Sequence, residues 1–136
     1  FMCFNMWEGL GEFIHKISEE KECSFKVVEV GVGKFFDVSD YLNKFDNVEL
    51  ILTDINPSKD NIFKDDIMNP NLNLYDGVDL IYSIRPPYEL QPFLISLQEK
   101  IGAVLIIKPL TGEDLNVKNR KMRLKTYKKT SFYIYP

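Results

Sequence analysis

The segment from Glu29 to Gly33 and the aspartate at position 54 have the residue types and the spacing to bind a nucleotide-like ligand. An apolar run carries Glu29 near its end, and two glycines separated by one residue follow. A second apolar run, over 48–53, stops at Asp54. In a nucleotide-binding βαβ unit the first strand ends in a tight glycine turn, and the second ends in a carboxylate that accepts from ribose hydroxyls. The pattern predicts an adenosine-containing ligand, with a tight turn that binds nothing as the alternative.

The glycine loop departs from the dinucleotide pattern at one position. A dinucleotide-binding loop carries a third glycine where this chain has Phe36. That glycine lets the helix pack closely on the strand, so a pyrophosphate at the helix N-terminus is less expected without it. The sequence therefore argues against a dinucleotide.

Charged and turn-forming residues also follow the other predicted strands. In a parallel sheet, ligands bind beyond the carboxyl ends of the strands, so these residues are candidates for a shared site. Arg85 and Lys108 form a cationic pair suited to a carboxylate or phosphate, and the alternative for Arg85 is a salt bridge with an acid such as Glu29 or Glu113. The candidates outside the glycine loop and Asp54 are Asp65, Asp66, Arg85, Tyr88, Lys108 and Glu113.

The elements that must position these residues alternate between strand and helix patterns. Periodicity predicts helices over 7–22, 37–44 and 88–100, and strands over 26–30, 48–53, 62–64, 78–84 and 103–107. A period of two then predicts a hairpin over 118–136. This order predicts a single three-layer α/β domain over 1–136, Rossmann-like, with a mostly parallel sheet and a C-terminal antiparallel hairpin.

The net charge of −3 conceals a strong asymmetry along the chain. All 20 acidic residues lie before position 115, whereas the last 22 residues carry seven basic residues and no acid. Three interpretations of this basic hairpin stay open: contact with nucleic-acid phosphates, contact with an acidic surface of a second copy, or lysines that protect a sheet edge. The residues that would contact nucleic acid are Arg120, Lys121, Arg123, Lys125, Lys128 and Lys129.

Composition excludes several classes of protein. No apolar run reaches the roughly 18 residues of a membrane span, and no signal-peptide pattern begins the chain. Cys3, Cys23 and His15 have no metal-ligand spacing, so we expect reduced thiols and no metal site in a cytoplasmic protein.

An acidic residue followed by x-Gly-x-Gly resembles the first motif of class I S-adenosylmethionine-dependent methyltransferases. The resemblance implies that Glu29 reaches the amino-acid end of the ligand, that Asp54 binds the ribose, and that Asp65 or Asp66 approaches the adenine. Phe35 occupies the usual place of a further glycine and would fill part of the methionine pocket. The segment Arg85-Pro86-Pro87-Tyr88 is similar to the Pro-Pro-aromatic motif of enzymes that methylate amino groups of bases. Arginine replaces the acceptor residue of that motif, so its mechanism does not transfer.

Together these segments resemble uncharacterised protein family 0146, a small, mainly archaeal family. The likeness runs from about Trp7 to the C-terminus, and Arg-Pro-Pro and Lys-Pro-Leu-Thr-Gly-Glu are its most specific parts. The family implies a minimal methyltransferase-like fold and no established activity. We expect a protein that binds S-adenosylmethionine or a related adenosine ligand, with a non-catalytic nucleotide-binding, nucleic-acid-binding or interaction module as the alternative. The sequence assigns no catalytic residue.

Overall fold

The computed structural model describes residues 7–109, 115–116 and 122–136. The strands are β1 (Phe25–Val30), β2 (Val48–Asp54), β3 (Ile62–Lys64), β4 (Leu80–Ile84), β5 (Val104–Lys108), β6 (Arg123–Tyr127) and β7 (Thr130–Tyr135). The helices are α1 (Glu8–Ser18), α2 (Asp37–Leu42) and α3 (Gln91–Ile101), with 3₁₀ turns over Leu72–Tyr75 and Tyr88–Leu90. None of the helices described is both long and apolar enough to cross a membrane.

All seven strands form one sheet in the order β3-β2-β1-β4-β5-β7-β6. Strands β1 to β5 pair in parallel, and β7 pairs antiparallel with both β5 and β6. Helices cover the parallel strands on both faces, which explains why every residue of β4 is buried. The predicted mostly parallel sheet with an antiparallel C-terminal hairpin is confirmed.

Each face of the sheet has its own apolar core. On one face, Leu10 and Ile14 of α1 pack with Val27 and with Phe132 of β7. On the other face, Leu94 and Leu97 of α3 pack with residues that include Val28, Ile81 and Leu105. Neighbouring residues of a strand point to opposite faces, so two consecutive apolar residues such as Val27 and Val28 pack into different cores.

The predicted helix over 7–22 is too long. Helix α1 ends at Ser18, whose hydroxyl donates to the carbonyl oxygen of His15 at 2.6 Å and accepts from Asn47 Nδ2 at 3.0 Å. The next four residues are charged and exposed, so continuing the helix would bury nothing. The predicted helix over 88–100 begins with a 3₁₀ turn because Pro86 and Pro87 precede it, and the remaining boundaries differ by a few residues at most.

The predicted hairpin over 118–136 is correct in type, but 118–121 lie outside the described residues. Strand β7 alternates as expected and buries Phe132 and Ile134. Strand β6 does not, because Leu124 is 63% exposed while Lys125 Nζ lies 5.7 Å from the centre of the Phe13 ring. β6 is an edge strand that pairs only with β7, so no neighbouring strand covers Leu124. The basic face of β6 is the one that lies towards α1.

Gly9 allows α1 to lie directly on the β6–β7 turn. A Cβ atom at this position would lie 2.4 Å from both the Thr130 hydroxyl oxygen and the Tyr127 carbonyl oxygen. Alanine is the better helix former by about 1 kcal/mol, but overpacking against backbone costs about 1–3 kcal/mol. We expect Gly9→Ala to lower the free energy of unfolding measured by urea denaturation.

Gly11→Ala is the matched comparison for this prediction. A Cβ atom there would meet Cδ2 of the Tyr41 ring at 2.8 Å, and a half-buried side chain can move where backbone cannot. The Gly11 variant should therefore lose less stability than the Gly9 variant. A Gly9 variant as stable as the wild type would contradict this packing of α1 on the hairpin.

Candidate functional site

The glycine loop after β1 is held by its own backbone. Gly31 and Gly33 have φ angles of +71° and +58°, which favour glycine. The N–H groups of Gly31 and Val32 both donate to the carbonyl oxygen of Thr53, each at 3.0 Å. The loop therefore turns back onto the end of β2, and its N–H groups point at protein rather than at a ligand.

The Asp54 carboxylate joins the glycine loop to the segment after β2. Its Oδ2 accepts from Gly33 N–H at 2.7 Å, and its Oδ1 accepts from Asn56 N–H at 2.9 Å. A carboxylate has about four lone-pair sites, so each oxygen keeps capacity for one further donor. Asp54 is thus oriented by the backbone and can still accept from a hydroxyl pair.

Two buried hydroxyl groups fix the strand ends beneath the loop. Thr53 Oγ1 donates to the Glu29 carbonyl oxygen at 3.1 Å, and Ser83 Oγ donates to the Val30 carbonyl oxygen at 2.8 Å. Both bonds cross between neighbouring strands of the sheet. The carbonyl groups next to Gly31 are therefore satisfied inside the protein, which holds the loop in one conformation.

A cavity of about 300 Å³ opens beyond the ends of β1, β2, β3 and β4, and we call it the acidic cavity. Three aspartates line it, namely Asp54, Asp65 and Asp66. The rest of the lining is largely apolar and includes the strongly exposed Ile55 and Met68 at its rim. A small apolar cavity with a few convergent polar groups is the usual form of a small-molecule site.

The two aspartates after β3 also shape the loop that carries them. Asp65 Oδ1 accepts from Asn71 N–H at 2.8 Å, and Asp66 Oδ1 accepts from Met68 N–H at 2.9 Å. Partial burial raises the pKa of Asp65 in spite of the bond from Asn71. Both carboxylates keep lone pairs for donors within the cavity.

A second, more open cavity of about 510 Å³ lies beside the glycine loop, and we call it the basic cavity. Its lining includes Lys34, Phe35 and Arg85, and it contains no acidic residue among the parts of the chain that are described. Gly31 and Arg85 line both cavities, so the two adjoin.

Arg85 stands at the boundary between the cavities. Its φ of +51° is unusual for a residue other than glycine, and its N–H donates to the Lys108 carbonyl oxygen at 2.6 Å. The guanidinium carbon lies 5.4 Å from the ring centres of both Trp7 and Phe35, within the range of a cation–π interaction. Backbone strain of this kind concentrates at ligand sites.

Lys108 lies next to this group, with its Nζ 5.6 Å from the centre of the Trp7 ring. The residue is buried, and burial lowers the pKa of its ammonium group. Within the described ranges, no carboxylate oxygen lies within 4.0 Å of Arg85 or Lys108. The alternative in which Glu29 forms a salt bridge with Arg85 is therefore not realised, and Glu113 lies outside the described residues.

Glu29 lies in the core and lines neither cavity. It is directly opposite Tyr82 in the neighbouring strand, and the Tyr82 hydroxyl donates to its Oε1 at 2.6 Å. Burial raises the pKa of Glu29 to about 8, although the bond from Tyr82 opposes that rise. The carboxyl group is thus mostly protonated at neutral pH, and it faces neither of the two cavities beside the glycine loop.

The remaining predicted residues are dispersed. Tyr88 is 53% exposed and is not part of the lining of either cavity. In the hairpin, Lys128 forms an ion pair with Glu12, and an Arg123 guanidinium nitrogen donates to the Pro136 carbonyl oxygen at 3.1 Å. Arg120 and Lys121 lie outside the described residues. In the described part of the hairpin, the charged groups of Lys128 and Arg123 are therefore already bonded to other groups of the chain.

Sequence reasoning missed four residues of this region: Trp7, Lys34, Ile55 and Met68. Ile55 follows Asp54 directly, so the sequence alone indicates that it lies near the predicted site. Trp7 was not predictable, because no spacing relates a residue before α1 to the ends of β4 and β5. Among the described residues, no group of three or more His, Cys, Asp and Glu side chains is arranged to hold a metal ion.

The sheet order, the glycine loop and the strand-end cavities define a Rossmann-like fold of the kind found in S-adenosylmethionine-dependent methyltransferases. The crystal structure of a SAM dependent methyltransferase from Aquifex aeolicus superposes on this chain with a TM-score of 0.57, covering 92% of this chain and 87% of that one. The two share 17% sequence identity, so this likeness shows the fold alone.

The chain belongs to Uncharacterised protein family (UPF0146), whose sequence profile matches residues 10–136. It is 49% identical to a UPF0146 protein of Methanothermobacter thermautotrophicus over 130 residues, which cover 96% of this chain and 95% of that protein. It is 44% identical to a UPF0146 protein of Methanocaldococcus jannaschii over 131 residues, covering 90% and 91% of the two chains. The resemblance inferred from the sequence is confirmed.

The buried Glu29 makes stability depend on pH. The native pKa of about 8 exceeds the ordinary value of 4.5, so between these values the native state binds a proton that the unfolded chain lacks. The contribution of Glu29 is therefore fully present below about pH 4.5 and is lost as the pH rises through 8. Glu29→Gln keeps an acceptor for Tyr82 but cannot ionise, so the stability of this variant relative to the wild type should increase with pH.

Urea unfolding of both proteins between pH 5 and pH 8 measures this difference. The relative gain should not exceed about 1.4 kcal/mol per pH unit, the limit for a single proton. Glu49→Gln, at an exposed position of β2, serves as the control and should follow the wild type. Parallel pH profiles for the wild type and Glu29→Gln would show that Glu29 is ionised in the native state.

Proposed function

We propose that this protein binds the adenosine part of a small-molecule ligand in the acidic cavity. The observation that carries the proposal is the Asp54 carboxylate, which the N–H groups of Gly33 and Asn56 hold at the cavity wall. A carboxylate oriented in this way at the end of the second strand suits the two hydroxyls of a ribose. Gly31, Gly33 and Asp54 would form the ribose side of the site.

The other end of the acidic cavity suits a purine base. Ile55 and Met68 offer apolar surface to the faces of a flat ring, and both are more than half exposed. Asp65 and Asp66 offer acceptors for an exocyclic amino group such as that of adenine. An apolar slot with acceptors at its edge favours adenine over bases that present a carbonyl group there.

S-adenosylmethionine is the first cofactor to consider, because the fold is shared with a SAM dependent methyltransferase. Methyl transfer depends mainly on holding the donor in line with the acceptor, so it needs no nucleophilic side chain. In this case Arg85 and Lys108 would face the acceptor or an anionic group, and a role there for Tyr88 and Glu113 stays a prediction. Activity as a methyltransferase and a cytoplasmic location both stay predictions.

The second candidate is a module that binds a nucleotide without catalysis. Phe35 supports it, because this side chain packs against Trp7 at a ring-centre distance of 5.0 Å where methyltransferases have a glycine. Nucleic-acid binding through the basic hairpin is a weaker candidate. Lys128 and Lys129 lie in the turn of the hairpin, but Lys128 is paired with Glu12.

Titration calorimetry with adenosine, S-adenosylmethionine and S-adenosylhomocysteine tests the adenosine site. We expect binding of at least one of these ligands and a loss of about 10- to 100-fold in affinity in Asp54→Asn, the usual effect of weakening hydrogen bonds to a charged acceptor. Asp46→Asn, at an exposed position outside both cavities, is the matched control and should bind like the wild type.

Two results would contradict the proposal. The first is the absence of heat with all three ligands at several hundred micromolar and a folded protein. The second is equal binding by Asp54→Asn and Asp46→Asn, which would place the ligand elsewhere. A circular dichroism spectrum of each variant establishes that it is folded.

A further inference from the structure

The two adjoining cavities have opposite charge. The acidic cavity is lined by three aspartates and by Arg85, whereas the basic cavity is lined by Lys34 and Arg85 and by no acid among the described residues. Gly31 and Arg85 belong to both linings, so these two residues border both cavities, and a ligand that passes them would contact both. A ligand that uses both cavities needs hydroxyl or amino donors at one end and an anion at the other.

The glycine loop itself does not supply the anion site. The N–H groups of Gly31 and Val32 donate to the Thr53 carbonyl oxygen, and the N–H of Gly33 donates to Asp54. No N–H group of these three residues is left to cradle a phosphate, as the loops of many nucleotide-binding proteins do. These three N–H groups are engaged within the protein, so the charged side chains beside the loop are the candidates for holding an anion.

Arg85 is the side chain best placed to hold it. The rings of Trp7 and Phe35 lie at equal distances of 5.4 Å from its guanidinium carbon and limit where it can move. The φ of +51° is maintained by the bond from its N–H to Lys108, which extends the pairing of β4 with β5. The guanidinium has no carboxylate partner among the described residues, although its five donors match a phosphate well.

We propose that the ligand is an adenosine nucleotide whose 5′-phosphate is bound by Arg85, with Lys34 beside it, in the basic cavity. This inference rests on the proposed binding of adenosine in the acidic cavity. In this arrangement the ribose hydroxyls would be at Asp54 and the 5′ carbon would lie at the boundary formed by Gly31 and Arg85. The protein should then bind adenosine 5′-monophosphate in preference to S-adenosylmethionine.

Charge is the reason for this preference. The 5′ substituent of S-adenosylmethionine carries a sulfonium, an ammonium and a carboxylate group, so it has a net positive charge and would place that charge near Lys34 and Arg85. The acid that could offset this charge in a methyltransferase-like loop is Glu29, which is buried beneath Tyr82 and lines neither cavity. The net positive charge is unfavourable beside two cations and the ligand's carboxylate offsets only part of that cost, whereas a phosphate is wholly anionic and gains charge-assisted hydrogen bonds.

Calorimetry with adenosine, adenosine 5′-monophosphate and S-adenosylmethionine tests the inference. In the wild type the monophosphate should bind about 10- to 100-fold more tightly than adenosine, the range for one or two charge-assisted hydrogen bonds. Arg85→Gln should remove this advantage, measured within that variant as the ratio of its affinities for the monophosphate and for adenosine, because Arg85 also lines the acidic cavity. Arg123→Gln, an arginine of the hairpin outside both cavities, is the matched control and should keep the advantage.

The dependence on salt gives a measurement that needs no variant. The affinity for the monophosphate should fall as ionic strength rises, and that for adenosine should not. Lys34→Gln provides a second variant should Arg85→Gln fail to fold, and it should weaken binding of the monophosphate only.

The inference is overturned if the monophosphate binds no better than adenosine, or if S-adenosylmethionine binds more tightly than the monophosphate. It is also overturned if the phosphate advantage survives both Arg85→Gln and Lys34→Gln. In each of these cases binding of adenosine itself would leave the adenosine site in place. A protein that binds none of the ligands would instead overturn both proposals.

Discussion

The parallel pairing of β1 with both β2 and β4 is the constraint on which the rest of the structure depends. It sets Glu29 opposite Leu52 and Tyr82, so the three strands end at the same level of the sheet. Residues far apart in sequence then follow one another across a single edge, and the glycine loop, Asp54 and Arg85 lie on it. Had β1 paired antiparallel with either neighbour, these residues would lie at opposite ends of the sheet.

The hydrogen bonds beneath this edge explain why the loop is rigid. Thr53 and Ser83, both buried, satisfy carbonyl groups of β1, and the Thr53 carbonyl oxygen in turn accepts two N–H groups of the loop. Buried backbone groups without partners are costly, so this network leaves the loop little freedom to rearrange around a ligand. The loop thus forms a fixed wall between the two cavities, and the side chains around it determine the charge of each cavity.

Those side chains separate the charges of the site into two regions. Carboxylates gather after β2 and β3, and basic groups gather after β4 and β5 and in the glycine loop. Within the described part of the chain, aromatic rings rather than acids lie beside Arg85 and Lys108, so no described carboxylate neutralises the positive charge there. This arrangement distinguishes the chain from a methyltransferase-like loop in which an acid faces the ligand.

Glu29 matches a ligand-binding motif in the sequence, but its side chain lies in the core, where it is paired with Tyr82. The sequence places Glu29 two residues before Gly31, where the methyltransferase motif has its acid. In the sheet its side chain lies on the same face as Val27, within the core that α1 covers. A single hydrogen bond from Tyr82 and a raised pKa allow a carboxyl group to occupy that place.

The sequence by itself determined the elements and the strand ends of this protein. Apolar runs bounded by glycine, proline and charged residues are local signals, and they were sufficient to predict the parallel sheet, the hairpin and the location of Asp54, Asp65 and Arg85. Only the tertiary structure decided which side chains line the two cavities. Trp7, Phe35, Arg85 and Lys108 meet because α1 packs across the sheet, and Leu124 is exposed because β6 is at its edge. Such contacts depend on long-range packing, which no local spacing encodes.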